Sequence, residues 1–273
     1  MKELSIKEVH DGTLTILRKI INVCDRIHVK YYLAYGSLIG AVRHKGFIPW
    51  DDDLDIVMLR PDYDDFCQYS LSHEEELQPF KLICRENEDG YPYNIARFND
   101  MRYKAEYQNV QAYDSGMFID VYPLDGVKAM TSYEIRRLDK KRDYLIKMIL
   151  WSVDDHYEPS VHNKWYRSVI KYIVRSYAKL RGSRYYLDKM ENLKLLYPYD
   201  ACEYVAEMVW DTKTVLCKKE WFAEGTMVDF EGMKVCAPKD IDSFLKAYYG
   251  DYMKLPPIEE RVPSHGYKLY KRG

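Results

Sequence analysis

Apolar positions Leu14, Leu17, Ile20, Ile21, Cys24 and Ile27 recur at the spacing of one helix face, behind the capping-box pattern Ser5-Ile6-Lys7-Glu8. The chain is therefore predicted to open with an amphipathic helix. Tyr31 to Tyr35 is a short aromatic and apolar run that stops at Gly36-Ser37, after which Leu38-Ile39-Gly40-Ala41-Val42 starts a helix, predicting strand, tight turn and helix in succession. A Pro-bounded turn at Ile48-Pro49 leads into Asp53-Leu54-Asp55-Ile56-Val57-Met58, which alternates polar and apolar as a half-buried strand does. Pro61 then suits the first turn of another helix.

Four strand-like runs follow, Phe80 to Cys84, Asn94 to Phe98, Tyr103 to Tyr107 and Met117 to Tyr122, separated by turn signals at Glu88-Asp89-Gly90, Asn99-Asp100 and Asp114-Ser115-Gly116. From Ser132 to Met190 the pattern changes to long, basic, aromatic-rich helices. Trp165, Val169, Tyr172, Ile173, Ser176 and Leu180 share one face there, and Lys164, Arg167, Lys171, Arg175 and Lys179 populate the others. Thr226 to Val235 reads as a hairpin turning at Glu231-Gly232, before a helix from Lys239 to Tyr248 and a Pro256-Pro257 tail. The fold class expected is α/β (α+β), a mixed sheet flanked by helices with a helical insert. Its divisions are a core over 1–130, a helical segment over 131–200, and a C-terminal hairpin, helix and tail over 201–273.

At 273 residues the chain is long enough to bury a full core without staples. The 41 Lys and Arg against 43 Asp and Glu leave a net charge of −2, which argues against a dedicated nucleic-acid binder. The segment 131–185 departs from this balance, with thirteen Lys and Arg against six Asp and Glu, and so points to an anionic partner, a membrane surface or a phosphate-rich acceptor. The six cysteines form no C-x-x-C pair and have no His at zinc-ligand spacing, so reduced thiols are expected. Neither an export signal nor a membrane span is visible, and the expected location is cytoplasmic.

Candidate chemistry concentrates at Asp51, Asp53 and Asp55. On a strand, alternate side chains share a face with Cα atoms about 6.6–6.8 Å apart, so three carboxylates would repel one another unless a cation neutralises them. A hard ion, Mg²⁺ or Mn²⁺, suits such a set. A calcium-loop reading fails because its sixth position would be Ile56 and its twelfth Asp62. Gly36-Ser37, at a strand-to-helix turn, offers backbone N–H groups and a hydroxyl to a phosphate. Asp120 lies inside the apolar run Met117 to Tyr122 and needs a partner there, for which a shared metal is the economical choice. Together these features describe a two-metal phosphoryl-transfer site.

The block Tyr35-Gly36-Ser37-Leu38-Ile39-Gly40-Ala41-Val42-Arg43-His44-Lys45-Gly46-Phe47-Ile48-Pro49-Trp50-Asp51-Asp52-Asp53-Leu54-Asp55 resembles the signature of the LicD family, within the nucleotidyltransferase-fold superfamily. The likeness extends to Phe118-Ile119-Asp120-Val121-Tyr122-Pro123-Leu124-Asp125, to Phe230-Glu231-Gly232, and to Tyr249-Gly250-Asp251-Tyr252 with Leu255-Pro256-Pro257. It implies a nucleotidyltransferase-like core and a transferase that moves phosphocholine, or another phosphate-linked polyol, from a CDP-activated donor such as CDP-choline. The implied acceptor is a cell-surface glycan (teichoic acid, capsule or lipopolysaccharide precursor), lipid-linked by expectation. Matched by position, Asp53 and Asp55 are the metal-binding pair, Asp51 the preceding acidic position, Asp120 the third carboxylate and Gly36-Ser37 the phosphate turn. The zinc-binding cysteines of the fukutin-related branch find no cluster here, which favours the bacterial branch.

Several further groups are donor-binding candidates. Arg43, His44 and Lys45 either contact diphosphate oxygens or form a solvated turn, and Arg261 and His265 in the tail are expected to fold back over the site. Tyr32, Tyr35 and Trp50 are the motif-adjacent aromatic faces for a choline cation. The competing readings are glycerol-phosphate or ribitol-phosphate transfer from a CDP-polyol, nucleotidyl transfer with release of pyrophosphate, and a non-catalytic scaffold.

Overall fold

The structure is a computed structural model that describes residues 2–107, 113–153, 165–194, 197–210, 213–262 and 266–273. The Ser5 cap forms as expected: its hydroxyl accepts from Glu8 N–H while the Glu8 carboxylate accepts from Ser5 N–H, and α1 runs Ile6–Ile27. Its apolar face, with Ile16, Leu17 and Ile20 fully enclosed, packs onto the sheet.

The chain continues through β1 (Tyr32–Leu33), α2 (Tyr35–His44), β2 (Asp55–Leu59), α3 (Arg60–Ser72), α4 (Glu74–Leu77) and β3 (Phe80–Ile83). Then come β4 (Ala96–Asp100), β5 (Tyr103–Tyr107) and β6 (Met117–Val127). The helices α5 (Ser132–Val153), α6 (Trp165–Arg181) and α7 (Ser183–Lys194) follow, and the C-terminal part holds β7 (Tyr204–Ala206), β8 (Cys217–Lys218), β9 (Thr226–Phe230), β10 (Met233–Ala237), α8 (Ile241–Tyr249) and β11 (Tyr267–Lys271). The main sheet has the order β1-β2-β6-β4-β3, with β7 and β8 added along the distal half of β6. Only β2 and β6 run parallel among these pairs, so the expected mixed sheet flanked by helices is present. The β9–β10 hairpin turns at Glu231 and Gly232, both at positive φ, as a two-residue turn of matching twist requires.

Two apolar clusters lie on either side of Tyr122, which packs against both. The first joins α1, α2, α3 and α8 to the sheet, and the second lies under α5 and α7. Within the second, Arg142 of α5 is fully enclosed and paired with Glu207 at 2.9 Å, tying the helical segment to the loop after β7. Helix α6 is placed unlike an ordinary amphipathic surface helix: Arg175 and Ala178 face the protein, while Val169, Ile170, Ile173 and Leu180 face solvent. Lys164, assigned to its basic faces, lies outside the described residues. All six cysteines are free thiols, and no helix among the described residues is long and apolar enough to cross a membrane.

Candidate active site

Strand β2 starts at Asp55, later than the sequence pattern implied, so Asp51 and Asp53 belong to the approach and not to one strand face with Asp55. The face is shared instead by Asp55 and Asp120, which lie directly opposite each other on the parallel strands β2 and β6. Asp55 is half-buried, and its Oδ1 is enclosed without a hydrogen-bond partner. Burial, followed by the charges of Asp53, Asp120 and Asp51, pushes the Asp55 carboxyl well above the usual carboxylate range, with Arg97 pulling in the other direction.

Asp120 has a protein partner besides the shared metal that the sequence suggested as the economical choice. Arg97, directly across the β4–β6 ladder, donates from Nε to Asp120 Oδ1 at 2.6 Å. The same guanidinium donates to the hydroxyls of Tyr107 and Tyr113, at 2.7 and 2.9 Å, and lies over the rings of Tyr93 and Phe118. Sequence reasoning passed over Arg97. The signal was available, since an arginine inside the apolar run Ile95-Ala96-Arg97-Phe98 needs a partner for the reason Asp120 does.

Gly36 and Ser37 also have roles inside the fold. Both lie in the first turn of α2, which begins at Tyr35 (φ 49°) behind an Ala34 cap that offers no side-chain acceptor. The Ser37 hydroxyl accepts from Asp55 N–H at 2.9 Å, so it fixes the start of β2 and keeps its O–H to donate. Gly36 makes room: a Cβ there would come within 2.9 Å of Asp51 Oδ2. The positive end of α2 thus lies against the acidic group. His10 of α1, another residue the sequence pattern did not single out, stacks on Phe47 and bonds through Nε2 to the Asp51 carbonyl at 2.7 Å. From the C-terminal strand, the Tyr267 hydroxyl donates to the Asp52 carbonyl at 3.4 Å. Burial, then the charges of Asp53, Asp52 and Asp120, raises the pKa of its phenol.

A cationic group adjoins the carboxylates through Trp50. Arg261 lies over the Trp50 ring at 5.4 Å, which brings the tail against the aspartate loop at this residue; His265 lies outside the described residues. Arg43 is near enough to Arg261 that burial, and then this like charge, lowers its proton affinity. Arg43 Nε is enclosed without a partner. His44 and Lys45 are exposed. Lys45 closes α2 in the left-handed conformation, and its carbonyl accepts from Glu231 N–H at 2.8 Å; Glu231 in turn accepts from Phe47 N–H. The Phe230-Glu231-Gly232 block is therefore a brace for the loop that carries the aspartates. Of the aromatic candidates, Tyr32 is wholly buried in the core, Trp50 stands beneath Arg261, and Tyr35 lines an open cavity.

Among the described residues, no three His, Cys, Asp or Glu side chains stand together as a ready ligand set for an ion. The cause is local, because Arg97 holds Asp120 and Asp51 is drawn against the start of α2. The donor chemistry still fits a hard divalent cation: oxygen-only groups, mutual repulsion, and one enclosed carboxylate oxygen with nothing to bond.

Residues 28–147, which include every one of these carboxylates, match the family model described as LicD/FKTN/FKRP, nucleotidyltransferase domain. This segment is thus similar to the nucleotidyltransferase domain of the LicD family. Over 280 aligned residues it is 29% identical to the lipopolysaccharide cholinephosphotransferase LicD of Haemophilus influenzae, covering 99% of both chains. It is also 30% identical over 130 residues to an uncharacterized protein of Rickettsia prowazekii, a match covering 45% of this chain and 41% of the other. Within this LicD-like segment, the signature block forms α2, the aspartate loop and the start of β2, and the second block forms β6.

Proposed function

We propose that the protein transfers phosphocholine from CDP-choline to a hydroxyl of a cell-surface glycan, a lipopolysaccharide, teichoic acid or capsule precursor, and releases CMP. The acceptor oxygen bonds to the phosphorus of phosphocholine as the P–O bond to CMP breaks, and the hydroxyl proton passes to solvent. The observation that carries this reading is the pairing of Asp55, with an enclosed and unbonded oxygen, opposite Asp120 on parallel strands. The full-length likeness to a cholinephosphotransferase supports choline as the cargo.

Mg²⁺ or Mn²⁺, as two ions, would be held by Asp53 and Asp55 with Asp51 and Asp120 sharing, and would supply charge neutralisation at phosphate and activation of the hydroxyl. The rest of the chemistry falls to the chain itself. The N-terminus of α2 and the Arg43–Arg261 pair offer positive potential to the diphosphate, and the like-charged guanidiniums gain most from an anion between them. Arg97 holds Asp120 in a single orientation, and Ser37 fixes the Asp55 main chain, so both carboxylates are set before substrate arrives. Six free thiols support a cytoplasmic setting. The solvent-facing apolar stripe of α6, flanked by Arg167 and Arg181, supports contact with the inner face of an anionic membrane, where a lipid-linked acceptor would lie.

The test is CMP release from CDP-choline, CDP-glycerol and CDP-ribitol with Mg²⁺ or Mn²⁺ and a crude glycan acceptor. CMP from CDP-choline, lost in Asp53→Asn and Asp55→Asn, is expected. CMP from a CDP-polyol alone would change the cargo, and pyrophosphate from a nucleoside triphosphate would overturn the reading.

A further inference from the structure

A cavity of about 620 Å³ opens beside Asp55, and neither Arg43 nor Arg261 lines it. Its wall is aromatic to an unusual degree: Tyr35 from α2, Tyr122 from β6, Trp210 from the loop after β7, and Tyr248 and Tyr249 from the end of α8. The rings meet at steep angles. Tyr35 stands at 85° to Tyr122 with centroids 5.3 Å apart, and at 73° to Tyr248 with centroids 5.1 Å apart, so π-faces and edges bound the space from several directions. Four separate elements converge to build it, which a chance surface dent does not require.

Trp210 is held there by a buried device. Glu207 accepts the main-chain N–H groups of Val209 and Trp210 through Oε1, at 2.7 and 2.6 Å, and receives Arg142 at its other oxygen. Arg142 reaches onward to the Thr214 hydroxyl at 2.8 Å, so both ends of the 207–214 loop are fixed to α5 by one guanidinium. Both members of this ion pair are closed from solvent, and such a pair is costly unless it specifies geometry. The Trp210 ring is further set by an edge contact with Tyr93, at 4.6 Å.

We infer that this cavity is the seat of a quaternary ammonium group, with Trp210, Tyr248 and Tyr249 as specificity-determining residues for a trimethylated cargo. This deepens the phosphocholine reading and rests on it. A quaternary ammonium donates no hydrogen bond and is held by π-faces and a desolvated wall, with tryptophan the strongest face. A primary ammonium needs acceptors for three N–H groups, which aromatic walls do not supply. Asp55 links the two parts of the site, since a phosphate at the carboxylates places the attached head group in the adjoining cavity. Lys213, also in the lining, has the charge for the phosphate end of the cargo.

The experiment is calorimetric titration of the full chain, with Mg²⁺ present, by CDP-choline, CDP-ethanolamine and CMP. The first two ligands differ only in the three N-methyl groups. CDP-choline is expected to bind at least about tenfold tighter than CDP-ethanolamine, and Trp210→Leu and Tyr249→Leu are each expected to bring that ratio towards one while CMP affinity stays as it was. Tyr249 is 47% exposed, so its replacement does not disturb the core and tests the inference even where the Trp210 variant fails to fold. An unchanged ratio in the variants would overturn the assignment, and so would a loss of CMP affinity, which would give the cavity to the cytosine ring. Failure of CMP release together with an intact, Trp210-dependent preference would sink the transfer reaction and leave the ammonium site standing.

Discussion

Arg97 and Asp120 face each other across β4 and β6 with 2.6 Å between Nε and Oδ1, and neither side chain is more than 13% exposed. Removing one member of such a pair leaves the other charge buried, at a cost of about 3–5 kcal/mol. Arg97→Leu is expected to lose stability on that scale in urea unfolding, and to release Asp120 towards Asp55 and Asp53, whose repulsion adds to the loss. Arg97→Lys, which keeps the charge but not the fork that reaches Asp120, Tyr107 and Tyr113 together, falls between. A change below about 1 kcal/mol in the Leu variant, the scale of an exposed pair, would mean that solvent reaches these groups.

A second prediction concerns the acidic loop. Asp55 is held beside Asp53, Asp51 and Asp120 with one oxygen unbonded, so the folded chain is under electrostatic strain that a divalent cation relieves. Mg²⁺ or Mn²⁺ should therefore raise the melting temperature of the wild type, by the equivalent of about 2.7 kcal/mol at a hundredfold excess over the dissociation constant. Asp55→Asn should melt higher than wild type without a cation and gain little when one is added. A cation response of equal size in both proteins would place the ion elsewhere.

How far the sequence alone led is clearest at these same residues. The capping box, the hairpin at Glu231-Gly232 and the helix behind Pro61 are local patterns with local causes, and the structure has them where the pattern put them. The carboxylates were legible because Asp in an apolar context is expensive, but their partners were not, because Arg97 reaches Asp120 through strand pairing that periodicity does not encode. The bond from Asp55 to Ser37 was illegible for a related reason. A hydroxyl at a strand-to-helix junction looks the same in sequence whether or not it also holds the neighbouring strand, and here it accepts from the Asp55 N–H. The aromatic cavity was the least legible part, since α2, β6, the loop after β7 and α8 meet only in the folded chain.

The buried thiols give a prediction with a definite sign in pH. Burial, and next to it Glu86, pushes Cys84 up from its ordinary 9.0 to about 12, and burial does the same for Cys217, to about 12. The folded protein thus keeps protons that the unfolded chain loses, and the contribution of these two thiols to stability falls as pH rises from about 9 towards about 12. At mildly alkaline pH, iodoacetamide followed by peptide mass analysis should leave Cys84 and Cys217 unmodified in the native protein and modify all six cysteines in urea. Rapid native alkylation of either thiol would show that its surroundings open readily.

The last prediction concerns α6, where Leu180 is 83% and Ile173 60% exposed on the same stripe as Val169 and Ile170. Apolar side chains at helical spacing on a solvent face normally mark a covered surface, and the basic residues Arg167 and Arg181 beside them choose an anionic one. The protein should co-sediment with vesicles containing anionic phospholipid at low ionic strength, more weakly as salt is raised and not with purely zwitterionic vesicles. Because these side chains are exposed, Ile173→Ser with Leu180→Ser should abolish sedimentation and leave the melting temperature near its wild-type value. Equal sedimentation of the variant would remove the stripe from the contact. A concentration-dependent dimer that the same substitutions dissociate, without any vesicle binding by the wild type, would assign the face to a second copy of the chain.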